Sequence, residues 1–121
     1  MPIKNILIVD DSATDRQFLS DLLAKNGFSV TTAQSADEAL AKAKSQKPDL
    51  VLMDVVMPGQ NGFQATRTLS KDEATKAIPI IICTSKGQDT DKVWGMKQGA
   101  RDYIVKPVSA PELLKKISAL G

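Results

Sequence analysis

The chain has 121 residues, a formal net charge of +2, one cysteine, three Phe, one Trp, one Tyr and no histidine. Its length suits one domain, residues 1–121, with no effector domain. The composition excludes a His-based triad, a phosphohistidine, a histidine metal ligand, an internal disulfide framework and a Cys-rich zinc site.

In chain order, Ile6-Leu7-Ile8-Val9 is a β-branched run ending in Asp10-Asp11. A helical pattern follows, with Phe18, Leu19, Leu22 and Leu23 at three- and four-residue spacings, and Asn26-Gly27 stops it. Phe28 to Ala33 alternates with period two, as a half-buried outer strand does. Ser35-Ala36-Asp37-Glu38 reads as a capping box, and its helix has a small-residue face of Ala36, Ala39, Leu40 and Ala43 until Lys47-Pro48 ends it. Leu50-Val51-Leu52-Met53 is continuously apolar, as a strand covered on both faces must be, and it ends at Asp54.

After a loop with Met57-Pro58-Gly59 and Asn61-Gly62 comes a helical pattern through Phe63, Thr66 and Leu69. Pro79 opens the strand Ile80 to Thr84, inside which Cys83 reads as a buried apolar residue. Gln88 to Gln98 makes a poor helix, with Gly95 in its middle and β-branched Thr90 and Val93. Tyr103-Ile104-Val105 is the fifth strand, ending at Lys106-Pro107, and a second capping box at Ser109 to Glu112 starts the last helix. Five successive βα units imply a parallel sheet with right-handed crossovers. The expected fold is α/β: an open, doubly wound, flavodoxin-like five-stranded sheet of order 2-1-3-4-5.

In such sheets ligands bind beyond the carboxyl ends of the strands, where the strand order reverses. The strand ends carry Asp10 and Asp11, Asp54, Thr84 and Lys106. Three carboxylates at one point repel each other unless a cation intervenes. An oxygen-only set suits a hard divalent ion, and Mg²⁺ takes one or two carboxylates together with phosphate oxygens. A carboxylate can also act as a nucleophile and form an acyl phosphate. Phosphoryl transfer asks mainly for in-line positioning and charge neutralisation, and these five residues offer both.

Charge is unevenly spread. Residues 1–85 hold 9 basic and 10 acidic side chains, and residues 86–121 hold 7 and 4. That bias is too mild for a nucleic-acid footprint, so none is expected. An ordinary solvated surface explains it; a docking face for an acidic partner is the sharper reading. No segment approaches about 20 apolar residues and the amino-terminal run is too short for a secretory signal. A cytoplasmic protein without membrane insertion is the expectation.

These residues resemble a response-regulator receiver domain of the stand-alone chemotaxis type. The likeness runs through Ile6 to Ser12, Leu52 to Gly59, Gly99-Ala100-Arg101-Asp102-Tyr103 and Lys106-Pro107. It implies Asp54 as phosphoacceptor, and Asp10, Asp11, Asp54 and the Val56 carbonyl as Mg²⁺ ligands. It implies Thr84 and Lys106 at the phosphoryl group, a cis bond before Pro107, and Tyr103 as the aromatic that turns inward; plain half-buried packing is the alternative for Tyr103. Asn61 to Arg67 and Asp91-Lys92-Val93-Trp94-Gly95 resemble the small regulators of type IV pilus (twitching motility) chemosensory systems.

The resemblance implies a histidine kinase as donor, a downstream motility or pilus protein, and a monomer. It also implies no enzyme activity beyond self-phosphorylation and self-dephosphorylation. The readout would be the surface of helix four, strand five and helix five, with Trp94, Lys92 and Arg101 on the partner face; partial core is the alternative for Trp94. A phosphate-sink role and a pseudo-receiver that only binds partners are further alternatives. So are a flavodoxin-like cofactor binder, disfavoured because Asp10-Asp11 would repel a bare phosphate, and an aspartate-nucleophile phosphatase, disfavoured because its first-strand acids are not adjacent.

Overall fold

The computed structural model describes residues 3–56 and 61–120. Ten elements alternate: β1 (Asn5–Val9), α1 (Ala13–Lys25), β2 (Ser29–Ala33), α2 (Ala36–Gln46), β3 (Leu50–Met53), α3 (Gly62–Lys71), β4 (Ile80–Thr84), α4 (Asp89–Lys97), β5 (Asp102–Val105) and α5 (Ala110–Leu120). The strands form one sheet of order β2-β1-β3-β4-β5, and every pairing is parallel. The order expected from the sequence is the one found. The Met57-Pro58-Gly59 portion of the loop lies outside the described residues.

Successive strand residues point to opposite faces of a sheet, and here each face is covered by helices. Leu7, Val9, Val51 and Met53 pack with Ala36, Ala39, Ala43, Ala65 and Leu69 of α2 and α3. Their neighbours Ile6, Ile8, Leu50 and Leu52 pack with Leu19 and Leu23 of α1 and Leu113 and Ile117 of α5. Ala36, Ala39 and Ala43 of α2 are buried, which lets that helix lie close to the sheet. Cys83 belongs to the α1/α5 core, and its burial pushes the thiol up to about 12.

Local chemistry sets the helix ends. Ser12 accepts from the Asp15 N–H, Ser35 from the Glu38 N–H and Asn61 from the Gln64 N–H, which satisfies free donors at three helix starts. The expected box at Ser35 is only half formed: Glu38 accepts from the Gln34 N–H, one residue before the cap, and not from Ser35. Gly27 follows α1 with φ +91°, as a glycine stop should. Helix α2 stops at Gln46, just before Lys47-Pro48, as expected. Lys47, rather than Pro48 alone, turns the chain by taking a left-handed φ of 48°. Phe18 departs from the apolar stripe of α1, standing 51% exposed while Leu19 and Leu23 are buried.

Candidate functional site

Register brings the acids together. Val9 pairs with Met53, so Asp10 and Asp54 leave adjacent strands side by side. The Asp54 N–H donates to the Val9 carbonyl at 2.9 Å and the Asp10 N–H to the Ala33 carbonyl at 3.0 Å, which extends the ladder one residue past each strand. On the other side Thr84 pairs with Val105, and the Lys106 N–H donates to the Thr84 carbonyl at 2.8 Å. The Lys106-Pro107 bond is cis.

Carboxylate oxygens of Asp10, Asp11 and Asp54 lie within 4.8 Å of one another. Asp10 and Asp54 are buried and Asp11 is exposed, so the cluster opens to solvent on one side. Lys106 reaches across from β5. Its ammonium donates to Asp10 Oδ2 at 2.6 Å, to Asp15 Oδ2 at 2.8 Å and to Asp54 Oδ2 at 3.1 Å. The second oxygens are held by the backbone: Ser12 N–H donates to Asp10 Oδ1 and Val56 N–H to Asp54 Oδ1. Each carboxylate oxygen accepts through two lone pairs, so capacity remains for a cation.

One ammonium bonds three carboxylates, with Asp11 beside them, and cannot neutralise the set. Burial pushes Asp10 above its ordinary value, against the bonds from Lys106 and Ser12 that pull it down; the adjacent Asp54 charge adds to the rise. Burial works against the Lys106 ammonium as well, but the bonds to Asp10 and Asp15 and the charge of Asp54 outweigh it and hold its pKa above the usual lysine value. The surplus negative charge, all of it on oxygen, fits a hard divalent cation such as Mg²⁺.

Thr84 is fully buried at the end of β4, with its hydroxyl 3.5 Å from the Lys86 N–H. Tyr103 points inward. It is buried, its hydroxyl donates to the Lys86 carbonyl at 2.6 Å, and burial followed by the charges of Asp91 and Asp54 pushes that hydroxyl up to about 12. Its ring lies against α4 at Gly95, where an added Cβ would come within 3.1 Å of Tyr103 Cε2 and 2.7 Å of Ile82 Cδ1. Tyr103 thus lies inward and packs in a core cluster with Val55, Phe63, Ile82 and Ala100, more deeply than half-buried.

On α4, Trp94 is 53% exposed and Val93 and Met96 are exposed beside it, as is Lys92, so partial core is the wrong reading of Trp94. Arg101 is exposed but sits elsewhere. It precedes β5 at the amino-terminal end of the strands, lining a cavity of about 310 Å³ with Ile3, Asp49 and Leu120. Val56 is 46% exposed at the mouth of the acidic cluster.

Three contributors escaped the sequence reading. By sequence alone nothing sets Asp15 apart from an ordinary acid in a first helical turn. Arg16 donates to the Asp10 carbonyl at 2.8 Å. Gly62 stands where any Cβ would lie 2.1 Å from the Asp54 carbonyl oxygen, so only glycine lets α3 start against the Asp54 backbone. The Asn61-Gly62 pair was the visible signal for it.

Comparison with known proteins gives a consistent picture. The model of the response regulator receiver domain matches residues 6–118. Protein PilH of Pseudomonas aeruginosa is 57% identical over 115 residues, which cover 95% of each chain. The phosphate regulon transcriptional regulatory protein PhoB of the same species is 41% identical, and the chain spans about half (51%) of its length. Among solved structures, chemotaxis protein CheY4 of Vibrio cholerae superposes with a TM-score of 0.91 at 34% identity, over 98% of this chain and 99% of that one.

Proposed function

The chain belongs to the response regulator receiver domain family, and on that footing we propose that it takes a phosphoryl group from the phosphohistidine of a partner kinase onto Asp54. The observation that carries this reading is the Lys106 ammonium, hydrogen-bonded at once to Asp10 and Asp54 at the ends of neighbouring strands. An oxygen of Asp54 attacks phosphorus as the P–N bond breaks, and the electron pair leaves with the imidazole. The product is an acyl phosphate on Asp54.

Asp10, Asp11, Asp54 and the Val56 carbonyl would hold Mg²⁺, which supplies charge neutralisation for the phosphoryl oxygens. Lys106 would contribute fixed positive charge, and the Thr84 hydroxyl, at the end of the neighbouring strand, would donate to a phosphoryl oxygen. The remaining chemistry of the chain is self-phosphorylation and self-dephosphorylation, with no separate substrate turned over.

The output runs through Tyr103 and α4. The Tyr103 hydroxyl ties the β4–α4 loop at Lys86 to β5, and its ring supports α4 at Gly95. Lys92, Val93, Trp94 and Met96 form the exposed surface that a downstream partner reads. Arg101 belongs to the opposite rim and not to this face. The 57% identity to PilH supports a place in type IV pilus chemosensory signalling. Among the described residues no helix is long and apolar enough to cross a membrane. Phosphotransfer from candidate histidine kinases, those of pilus chemosensory systems first, tests the reading. Label should move to wild type and not to Asp54→Ala; equal labelling of both would overturn it.

A further inference from the structure

Lys106 has three ammonium hydrogens, and all three are engaged: with Asp10 at 2.6 Å, Asp15 at 2.8 Å and Asp54 at 3.1 Å. None is left for an incoming phosphoryl oxygen, so one acceptor has to be given up when Asp54 is modified. The three differ in what release costs. The Asp10 side chain is 2% exposed, so it has no way back to water if it gives up its bond to Lys106. Asp54 is the reacting group itself. The Asp15 side chain is 43% exposed in the first turn of α1, and a change of rotamer returns it to water. Partly exposed ion pairs are weak, so this is the bond that yields.

We propose that Asp15 is a positioning residue that holds Lys106 in the unphosphorylated protein and surrenders it to the phosphoryl group. Asp15 acts as a built-in competitor. It aims the ammonium at the site while the site is empty of phosphate, and it sets how readily a phosphoryl group displaces it. The inference rests on Asp54 being the phosphoacceptor.

The test uses Mg²⁺ with beryllofluoride, a phosphoryl mimic that adds to a carboxylate oxygen, in titration calorimetry of the full chain. Asp15→Ala and Asp15→Asn should bind it about two- to fivefold more tightly, the span of a partly exposed ion pair. Asp15→Glu, which restores the charge and the reach, should return to the wild-type affinity. In a Lys106→Ala background, Asp15→Ala should have no effect. An equal gain with and without Lys106 would mean that Asp15 acts only through its field, and would overturn the proposal.

A crystal structure of wild type with Mg²⁺ and beryllofluoride decides independently. Lys106 should bond fluoride with Asp15 turned to solvent, whereas an intact Lys106–Asp15 bond would overturn the proposal. Failure of wild type to bind beryllofluoride would remove the phosphoacceptor reading and this inference together. Binding by wild type with unchanged affinity in the Asp15 variants would remove this inference alone.

Discussion

Lys106→Ala in metal-free protein should destabilise the fold far more than a surface lysine would. The ammonium lies 2.6 Å from Asp10 and 3.1 Å from Asp54, whose side chains are 2% and 7% exposed. Its removal leaves two buried carboxylates facing each other without a cation. Breaking a buried charge set by deleting one partner costs about 3–5 kcal/mol. The Lys106 side chain is 16% exposed, and the Ser12 and Val56 N–H groups still hold one oxygen on each acid. The lower end, about 3 kcal/mol, is therefore expected. For a domain of this length about 1 kcal/mol moves the unfolding midpoint by about 3–5 °C, so the drop should be about 10–15 °C. Thermal unfolding followed by circular dichroism at pH 7 with chelator measures it. Millimolar Mg²⁺ should restore more stability to the variant than to wild type, because an ion held by the proposed site would bind only the native cluster. A loss below about 1 kcal/mol, typical of an exposed pair, would refute the reasoning.

Asp10→Asn tests the same cluster from the other side. The folded-state pKa of Asp10 is raised above 3.8, so the cost of its buried charge is fully present above the folded pKa and is relieved as pH falls toward 3.8. The variant should be more stable than metal-free wild type at pH 7, with the gap closing on acidification; a gap independent of pH would contradict this. Gly95→Ala would ordinarily add about 1 kcal/mol to a helix. Here overpacking against Tyr103 and Ile82 should cost about 1–3 kcal/mol instead, and much of that loss should vanish in a Tyr103→Ala background when urea unfolding is compared. Val56→Asn should speed loss of the acyl phosphate, since exposed, apolar Val56 cannot orient a hydrolytic water at the mouth of the cluster; unchanged or slower decay of labelled protein would oppose it.

The parts of the fold that rest on local rules were legible. Continuous apolar runs gave the buried strands, and the cap expected at Ser35 stands at the start of α2, while those at Ser12 and Asn61 appear only in the structure. Reading the carboxyl ends of the strands in the order 2-1-3-4-5 gathered Asp10, Asp11, Asp54 and Lys106 before any geometry was known. What escaped depends on contacts between distant segments. Asp15 and Lys106 are 91 residues apart in sequence, and no pattern along α1 distinguishes an acid that holds a lysine from one that complements a helix dipole. Gly95 weakened the reading of α4 as a helix, yet α4 forms because that glycine is buried against Tyr103 and Ile82. The left-handed Lys47 carries no sequence signature, since the conformation is expected of glycine or asparagine. Arg101 was expected on the partner face with Trp94, but between them the chain turns to the far rim of the sheet, where Arg101 lies beside Ile3 and Leu120.

The central claim is that Asp54 itself carries the phosphoryl group. Treatment of the phosphorylated protein with borohydride reduces an aspartyl phosphate to homoserine, a permanent mark that peptide mass spectrometry can locate. The account predicts homoserine at position 54, dependent on Mg²⁺ during phosphorylation and strongly reduced in Lys106→Ala. A mark at Asp10, Asp11 or Asp15, or none at position 54 in fully phosphorylated protein, would contradict it.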